Sequence, residues 1–306
     1  MVESAPAQAP LLELRGVTRG FGGLRVIENL SLDVRRGEVL GVLGLSLSLG
    51  VMRFVNLAHG DFIVLASFAL MAAASSLGWS PFLVGLILTP AAFGVGYLLQ
   101  RYQLQRTVGT GILPILLVTF GLSIIIQNGL LETFGPNTRK LSGGAIEIAA
   151  AHLGMIDIGY YPLAVFLVAV GLIAGLEFVL YRTAEGARIR AVADDPAAAD
   201  LIGLTSARIY PVAMGIIAVT IMVSATCMSV WTNFDPSIGP SRLLAAFEAV
   251  VLGGLGSLWG TLVGGIMIGV AQNFGSQFDA SWQVLAQHLV FLVALVLRPN
   301  GLFAKG

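Results

Sequence analysis

Residues 182–208 read RTAEGARIRAVADDPAAADLIGLTSAR, a polar stretch between two long apolar runs. Its second half is punctuated like a short helix. Asp195 suits the N-cap, Pro196 suits the first helical position, and Gly203 suits the left-handed residue that follows the end. The helix between them, 196–202, would be about 10 Å long and would carry a compact apolar face made of Ala197, Ala198, Leu201 and Ile202. The pattern predicts either a docking helix for a soluble partner or an ordinary loop between two membrane spans.

The chain as a whole is too apolar to present a water-facing surface of ordinary composition. Of its 306 residues, 56% are hydrophobic and 11% are charged, whereas a soluble domain carries about 25% charged residues. Lipid is therefore the solvent expected for most of the chain. The formal net charge is +0, which argues against nucleic-acid binding. The single cysteine, Cys227, lies in an apolar run, so we expect neither an internal disulfide nor a cysteine-based metal site.

Apolar runs separated by short polar breaks predict an all-α polytopic membrane protein, a bundle of about seven to eight transmembrane helices. A helix needs about 20 apolar residues to cross the hydrocarbon core. The runs that approach or reach this length are 61–78, 81–99, 112–131, 160–181 and 209–231. Two shorter runs, 39–52 and 284–297, are further candidates. The first of them has the length of a span that has lost its outer half.

The apolar stretch 244–274 is too long for one straight span and is interrupted by glycines. We expect a short helix, a glycine turn and a second helix. Small residues spaced four apart let helix backbones approach closely in lipid. Packing of this kind is predicted for Gly253, Gly254, Gly256, Gly260 and Gly264. A pore-lining seam is the functional alternative for the same glycines.

Basic residues set the expected orientation of the spans. If the spans alternate, one side of the membrane receives Arg53, Arg101 and Arg106, the 182–208 stretch, and the C-terminal Arg298. This richer side should be cytoplasmic. The segment 132–158 is then a long external loop, rich in glycine and polar residues.

The first forty-four residues differ in style from the rest, because 11–44 alternates apolar and polar residues as a strand does and predicts a short β-rich N-terminal fragment. The order of its elements resembles the start of an ABC-transporter ATPase subunit, in which the aromatic at Phe21 would stack on adenine. An intact phosphate loop needs G-x-x-x-x-G-K-[ST], and no lysine follows Gly44 here. We therefore interpret 1–44 as a truncated ATPase-like segment that hydrolyses no ATP.

Several segments after Gly44 together resemble the H-type permease subunit of branched-chain amino-acid ABC transporters. Residues 51–61, VMRFVNLAHGD, are similar to the N-x-A-H-G segment of that family. Residues 186–191, GARIRA, are similar to its cytoplasmic coupling loop. Residues 251–257, VLGGLGS, and 298–303, RPNGLF, match its late glycine motif and its closing motif. The resemblance covers about 45–306, which we interpret as the transmembrane permease domain.

The resemblance implies a permease subunit of an ABC importer in a bacterial plasma (inner) membrane, forming the pathway for branched-chain or other neutral amino acids. It implies that the chain is not an enzyme and binds no cofactor or metal itself, while partner subunits use ATP. The implied partners are an M-type second permease subunit, cytoplasmic ATPase subunits and a periplasmic or lipid-anchored solute-binding protein. ATPase coupling would fall on Arg188, Arg190, Pro196, Ala197, Ala198, Leu201 and Gly203.

Polar residues near or within the spans are candidates for the solute path, since such residues are costly in lipid. They are Asn56, His59 and the adjacent Asp61, for a path or gating role, together with Gln127, Asn128 and Glu248. Each has a structural alternative. Asn56, His59 and the neighbouring Asp61 could cap an interfacial helix, Gln127 and Asn128 could tie helices together, and Glu248 could pair with Arg242 or extend to the membrane surface. No complete hydrolase set accompanies His59, and no motif surrounds His152 or His288.

Other functions stay open on the sequence alone. A permease for urea or short amides would have the same general design. A stand-alone channel or secondary carrier would transport without any ATPase and would normally need intramembrane charge pairs, which are scarce here. A non-functional chimera of an ATPase start and a truncated permease would fail to assemble with partners.

Overall fold

The computed structural model describes residues 13–21, 24–33, 39–52, 55–153, 156–279, 282–299 and 301–303. Helices dominate, as the apolar runs predict. They are α1 Val39–Met52, α2 His59–Leu77, α3 Pro81–Tyr102, α4 Ile112–Phe134, α5 Ala145–Ile148, α6 Tyr160–Arg182, α7 Ala184–Asp194, α8 Pro196–Leu201, α9 Ser206–Trp231, α10 Gly239–Gly253, α11 Leu258–Ser276 and α12 Trp282–Leu297. A 3-10 turn, Leu104–Thr107, follows α3.

The fold is that of an all-α polytopic membrane protein, but its spans are less uniform than the sequence predicts. In the described part of the chain, five helices are long and apolar enough to cross a membrane, namely α2, α3, α4, α6 and α9. The pair α10 and α11 would make a sixth span if counted together, although the two helices are bent by 119°. Two further apolar helices are short, Val42–Met52 within α1 and Trp282–Leu297. Beside the about seven to eight transmembrane helices predicted, the described residues thus have five or six candidate spans and two short apolar helices.

Helix α9 is the centre of the bundle, because α1, α2, α3 and α7 all pack on it. Most of its second half is buried, which is why its run of small and apolar residues lacks the one-sided pattern of a surface helix. The Tyr161 hydroxyl of α6 donates a hydrogen bond to the Cys227 carbonyl oxygen at 2.7 Å. The Tyr161 ring also stacks on Trp231, with ring centroids 5.6 Å apart. Cys227 is a buried free thiol.

Among the described residues, four strands form a sheet of order β2-β1-β4-β3, which contacts α6 and α11. They are β1 Glu13–Phe21, β2 Leu24–Asp33, β3 Ala150–Leu153 and β4 Ile156–Gly159. The predicted external loop 132–158 thus contains a hairpin as well as the short helix α5. The first two strands lie in the segment interpreted as truncated ATPase, whose residues 1–12, 22–23 and 34–38 are outside the described ones. An ATPase origin for that segment stays a prediction.

Helices α2 and α10 begin halfway along their neighbours instead of at the ends of the bundle. A Cβ built on Gly44 would lie 2.6 Å from Thr220 Oγ1 and 2.9 Å from His59 Cε1, so the first residue of α2 is level with the middle of α9. A Cβ built on Gly60 would lie 2.0 Å from the carbonyl oxygen of Gly239, the first residue of α10. The N-termini of two helices therefore meet inside the bundle.

A glycine turn joins α10 to α11 and lets the two helices fold back on each other. Gly254 and Gly256 have φ of 99° and 80°, values that only glycine adopts at little cost. A Cβ on Gly253 would lie 2.2 Å from the Gly260 carbonyl oxygen. A Cβ on Gly264 would lie 2.2 Å from the Ala249 carbonyl oxygen. The five glycines singled out in the sequence thus lie at this turn and along the close contact of α10 with α11.

Candidate functional site

The α8 helix is built as its punctuation predicts, within one residue. Asp195 Oδ1 accepts hydrogen bonds from the N–H groups of Ala197 and Ala198, both at 3.0 Å. Pro196 occupies the first turn, and Gly203 has φ of 83°. The helix ends at Leu201 instead of at the predicted 202. The cap, the proline and the left-handed glycine are confirmed.

Most of α8 points away from the protein. Ala199 is 3% exposed and joins the main hydrophobic core, so it anchors the helix. By contrast, Leu201 is 89% exposed and Ile202 is 73% exposed. Pro196, Ala197, Ala198 and Gly203 are exposed too. The exposed end of α8 is thus an apolar patch within a polar segment. A protein partner that covered this patch would remove its large apolar side chains from water.

The two arginines of α7 contact neighbouring side chains of α6 and α7 and do not lengthen the exposed apolar surface of α8. Arg188 forms an ion pair with Glu185, one turn earlier on the same helix. The guanidinium of Arg190 lies over the ring of Tyr181, 4.7 Å from its centroid. On the opposite face of α7, Ile189 and Val192 are buried in the main core. Helix α7 is therefore a rigid connection between α8 and the bundle.

The candidate solute-path residues from the first polar segment lie deep in the protein. Asn56 and His59 are 1% and 0% exposed. Asn56 Oδ1 accepts a hydrogen bond from the Ala58 N–H at 3.0 Å, which shapes the turn that starts α2. Both residues are thus placed at the N-terminus of α2, level with the middle of α9, and not at the membrane surface.

Asp61, which the sequence groups with Asn56 and His59 as a candidate for the solute path or for helix capping, is buried completely at the same place. Its side chain is 0% exposed, and neither carboxylate oxygen has a hydrogen-bond partner. Ser123 and Gln127 of α4 face it, while a Cβ on Gly239 would lie 2.0 Å from Asp61 Oδ1. Gln127 is therefore brought together with the α2 N-terminus, as a solute-path role requires.

The neighbouring Asn128 is not part of that group. Its Nδ2 donates to the carbonyl oxygen of Ile124 one turn earlier, at 2.8 Å on the exposed side of α4. Gln127 differs because its Nε2 donates to Ser123 Oγ at 3.0 Å, on the side that faces α2. Adjacent residues of a helix point about 100° apart, so only one of the two can face the interior.

Glu248 belongs to a second polar group, which joins α10, α11 and α12. Glu248 is 3% exposed, and its Oε2 accepts a hydrogen bond from Gln287 Nε2 at 2.7 Å. Its Oε1 contacts His288 Nδ1. Gln287 Oε1 in turn accepts from Gln272 Nε2 at 2.6 Å. The predictions that Glu248 pairs with Arg242 or extends to the membrane surface are therefore wrong.

Sequence reasoning missed the other three members of this polar group, two of which contact Glu248 directly. Gln272, Gln287 and His288 each interrupt an apolar helix, and such polar residues in membrane helices usually find partners within the protein. His288 carries this signal even though no motif surrounds it in the sequence. What the sequence lacked was the identity of the partners, which lie 15 to 40 residues apart along the chain.

An apolar groove elsewhere in the bundle does not coincide with either polar group. It has a volume of about 230 Å³ and lies between α2, α3 and α9. Its wall consists of side chains such as Leu65, Leu88 and Met222. Because it offers almost no polar group, it lacks the chemistry to orient an amino acid or an amide.

Sequence comparisons place the chain among membrane permeases. A family profile described as "Branched-chain amino acid transport system / permease component" matches residues 38–297. The permease protein BraD of the high-affinity branched-chain amino acid transport system of Pseudomonas aeruginosa is 27% identical, covering 90% of this chain and 94% of BraD. LivH of Escherichia coli K12, a permease protein of the same type of system, is 23% identical over 86% of this chain and 90% of LivH.

A relative with a different stated solute is also similar. The fructose import permease protein FrcC of Rhizobium meliloti is 26% identical, covering 97% of this chain and 86% of FrcC. The profile match extends over most of the chain and includes both polar groups, the glycine turn and α8. The chain belongs to the family of branched-chain amino acid transport system permease components, and it is a multi-pass permease subunit of an ABC importer.

Proposed function

We propose that the chain forms part of the pathway for branched-chain or other neutral amino acids in a bacterial inner membrane. Its partners would be a second permease subunit of the M type, cytoplasmic ATPase subunits and an external solute-binding protein. BraD and LivH, both described as permeases for branched-chain amino acids, support this solute class. ATP would be bound and hydrolysed by the ATPase subunits and not by this chain.

The observation that carries the proposal is the exposed apolar end of α8. An ATPase subunit would bury Leu201 and Ile202, which are 89% and 73% exposed in this chain. Ala197 and Ala198 are small enough to let the partner approach the helix backbone closely. Pro196 and Gly203 fix where the helix begins and ends, and so fix where the docking surface lies.

The packing of α7 supplies a route by which docking would act on the pathway. Helix α8 packs on α7, and α7 packs on α1, α6 and α9. Helix α9 packs in turn on α2, and α1 packs on α10. ATP-driven closure of the ATPases would therefore push α7 and α8 as one body. The push would shift the balance between inward- and outward-facing arrangements of the helices that bear the polar groups.

Uptake by reconstituted proteoliposomes tests the proposal. The chain is reconstituted with its second permease subunit, the ATPases and the binding protein, and accumulation is followed for leucine, urea and fructose. We expect ATP-dependent accumulation of leucine and none of urea or fructose. Leucine uptake that does not require ATP would refute coupling to an ATPase. ATP-dependent uptake of urea or fructose alone would refute the solute class.

A further inference from the structure

Asp61 is a carboxylate that the described part of the chain buries without a partner. It lies in the first turn of α2, is 0% exposed, and has no hydrogen-bond partner on either oxygen. Nor does it pair with any described lysine or arginine. Removing a carboxylate from water is strongly unfavourable unless a cation or a set of donors compensates. The position therefore suits a cationic group that the described residues do not supply.

The surroundings of Asp61 are polar but not positively charged. Ser123 and Gln127 of α4 face the carboxylate. Gln127 Nε2 is used by Ser123 Oγ, at 3.0 Å, so the Gln127 carbonyl oxygen is left to accept a further hydrogen bond. The N-termini of α2 and α10 meet here, and their dipoles favour the ionised carboxylate. The site thus presents one negative charge and neutral acceptors around it.

We propose that Asp61 holds the ammonium group of the transported amino acid during its passage, with the Ser123 hydroxyl and the Gln127 carbonyl oxygen as further acceptors. This inference rests on the proposed function, because it takes an amino acid to be the solute. A primary ammonium group has three N–H donors and one positive charge, which suits a carboxylate with two neutral acceptors beside it. An uncharged solute such as urea or a sugar would not compensate the charge.

The depth of the site suits a transporter. The α2 and α10 N-termini lie level with the middle of α9, and transporters often place broken helices of this kind at the midpoint of the pathway. Gly60 and Gly239 bring the two helix ends together so closely that either Cβ would collide with the opposite helix or with Asp61. Separation of these two helix ends would open Asp61 to the solute, and their contact would close it.

Binding measured on the purified complex tests the inference. The permease–ATPase complex, without the binding protein, is titrated in nanodiscs with L-leucine, isoamylamine and isocaproate. Isoamylamine keeps the ammonium group of leucine but lacks the carboxylate, and isocaproate does the reverse. We expect leucine and isoamylamine to bind and to compete, and isocaproate to bind at least about tenfold more weakly, since it would place a second carboxylate beside Asp61.

Charge removal gives the second arm of the test. Asp61→Asn should weaken binding of leucine and isoamylamine at least about tenfold and should reduce the preference over isocaproate. Asp235→Asn is the matched control. It removes the same charge from a carboxylate in the loop before α10, where Asp235 Oδ1 accepts from the Ser237 N–H at 2.9 Å. This control should bind all three compounds as the wild type does.

The inference is overturned if the wild-type complex binds isocaproate as well as isoamylamine, or if it binds neither leucine nor isoamylamine. It is also overturned if Asp61→Asn, assembled with its partners, binds leucine normally. The competition on the wild-type complex decides the question even if Asp61→Asn does not assemble. ATP-driven uptake of leucine by the wild type, measured in parallel, shows whether a negative result concerns this site or the amino-acid function as a whole.

Discussion

Truncation of Leu201 to alanine should weaken ATPase binding without destabilising the permease. The Leu201 side chain is 89% exposed, so it makes few contacts that the substitution could remove from the free protein. In a docked complex it would become buried. Leucine exceeds alanine by about three CH₂ equivalents, each worth about 0.8 kcal/mol on burial. With nearly the whole side chain available for burial, the loss is about 2 kcal/mol, or roughly 30-fold in Kd.

Titration of labelled ATPase subunits against the permease in nanodiscs measures this loss. Leu86→Ala is the matched control, because Leu86 of α3 is 71% exposed but lies within a membrane span. The control should leave the Kd unchanged. The same Kd for wild type and Leu201→Ala would refute docking on the apolar end of α8. An equal loss for both variants would show that a general effect on the permease, and not a contact at α8, weakens binding.

Three further predictions concern packing, the second polar group and the external loop. Gly60→Ala forces a Cβ to within 2.0 Å of a carbonyl oxygen of α10. It should lower the stability of the purified complex by about 1–3 kcal/mol, measured as a lower Tm. Gly94→Ala, with nothing within 4 Å of the added Cβ, should leave the Tm unchanged. Glu248→Ala removes an acceptor from the buried Gln287 amide and a contact from the partly exposed His288 of α12. It should cost about 1–3 kcal/mol, again read from the Tm, and an unchanged Tm would contradict the hydrogen-bond group. Burial raises the pKa of Glu147, but the Lys140 hydrogen bond, a backbone N–H and the Lys140 charge together lower it more, so the pKa of this carboxyl lies below its ordinary value of 4.5. The stabilising pair is therefore present above pH 4.5 and lost as the pH falls through the lowered pKa. Proteolysis of the loop should increase only in that acidic range. Lys140→Ala should increase proteolysis above pH 4.5 as well and so weaken its dependence on pH.

Helix α8 could be predicted from the sequence because its signals are local. Asp195, Pro196 and Gly203 each act on backbone groups within a few residues, and the structure has all three in the expected roles. The exposure of Leu201 also follows from position, since a helix of two turns with a buried Ala199 must turn its other side outward. Short-range capping rules are sufficient for such an element.

The polar groups could not be predicted, because their members are distant in the sequence. Glu248 bonds to Gln287 and His288 on another helix, and nothing in the intervening residues states which helices pack together. Asp61 looked like a residue at a membrane entry because it follows a polar segment. Its actual depth depends on the contact of Gly60 with Gly239. Two glycines far apart in the sequence give no indication that they are in contact.

The number of full spans could not be predicted from composition, for a physical reason. Apolar composition identifies residues that avoid water, but it does not distinguish a helix that crosses the membrane from one that is buried within the bundle. Helix α1 is short, and its residues 42–48 are buried by other helices. The bend of 119° between α10 and α11 at the glycine turn, by contrast, agrees with the two helices predicted for the 244–274 stretch.

The most direct test of the account is ATP-driven leucine accumulation by proteoliposomes that carry the complete complex, compared between wild type and the double variant Ala198→Glu/Leu201→Glu. Both positions are exposed on α8, so the variant should insert and fold as the wild type does. We predict accumulation that requires ATP in the wild type and is abolished in the variant, together with loss of ATPase binding. Equal accumulation by the two, with the ATPases still bound, would contradict the claim that this permease is driven through α8.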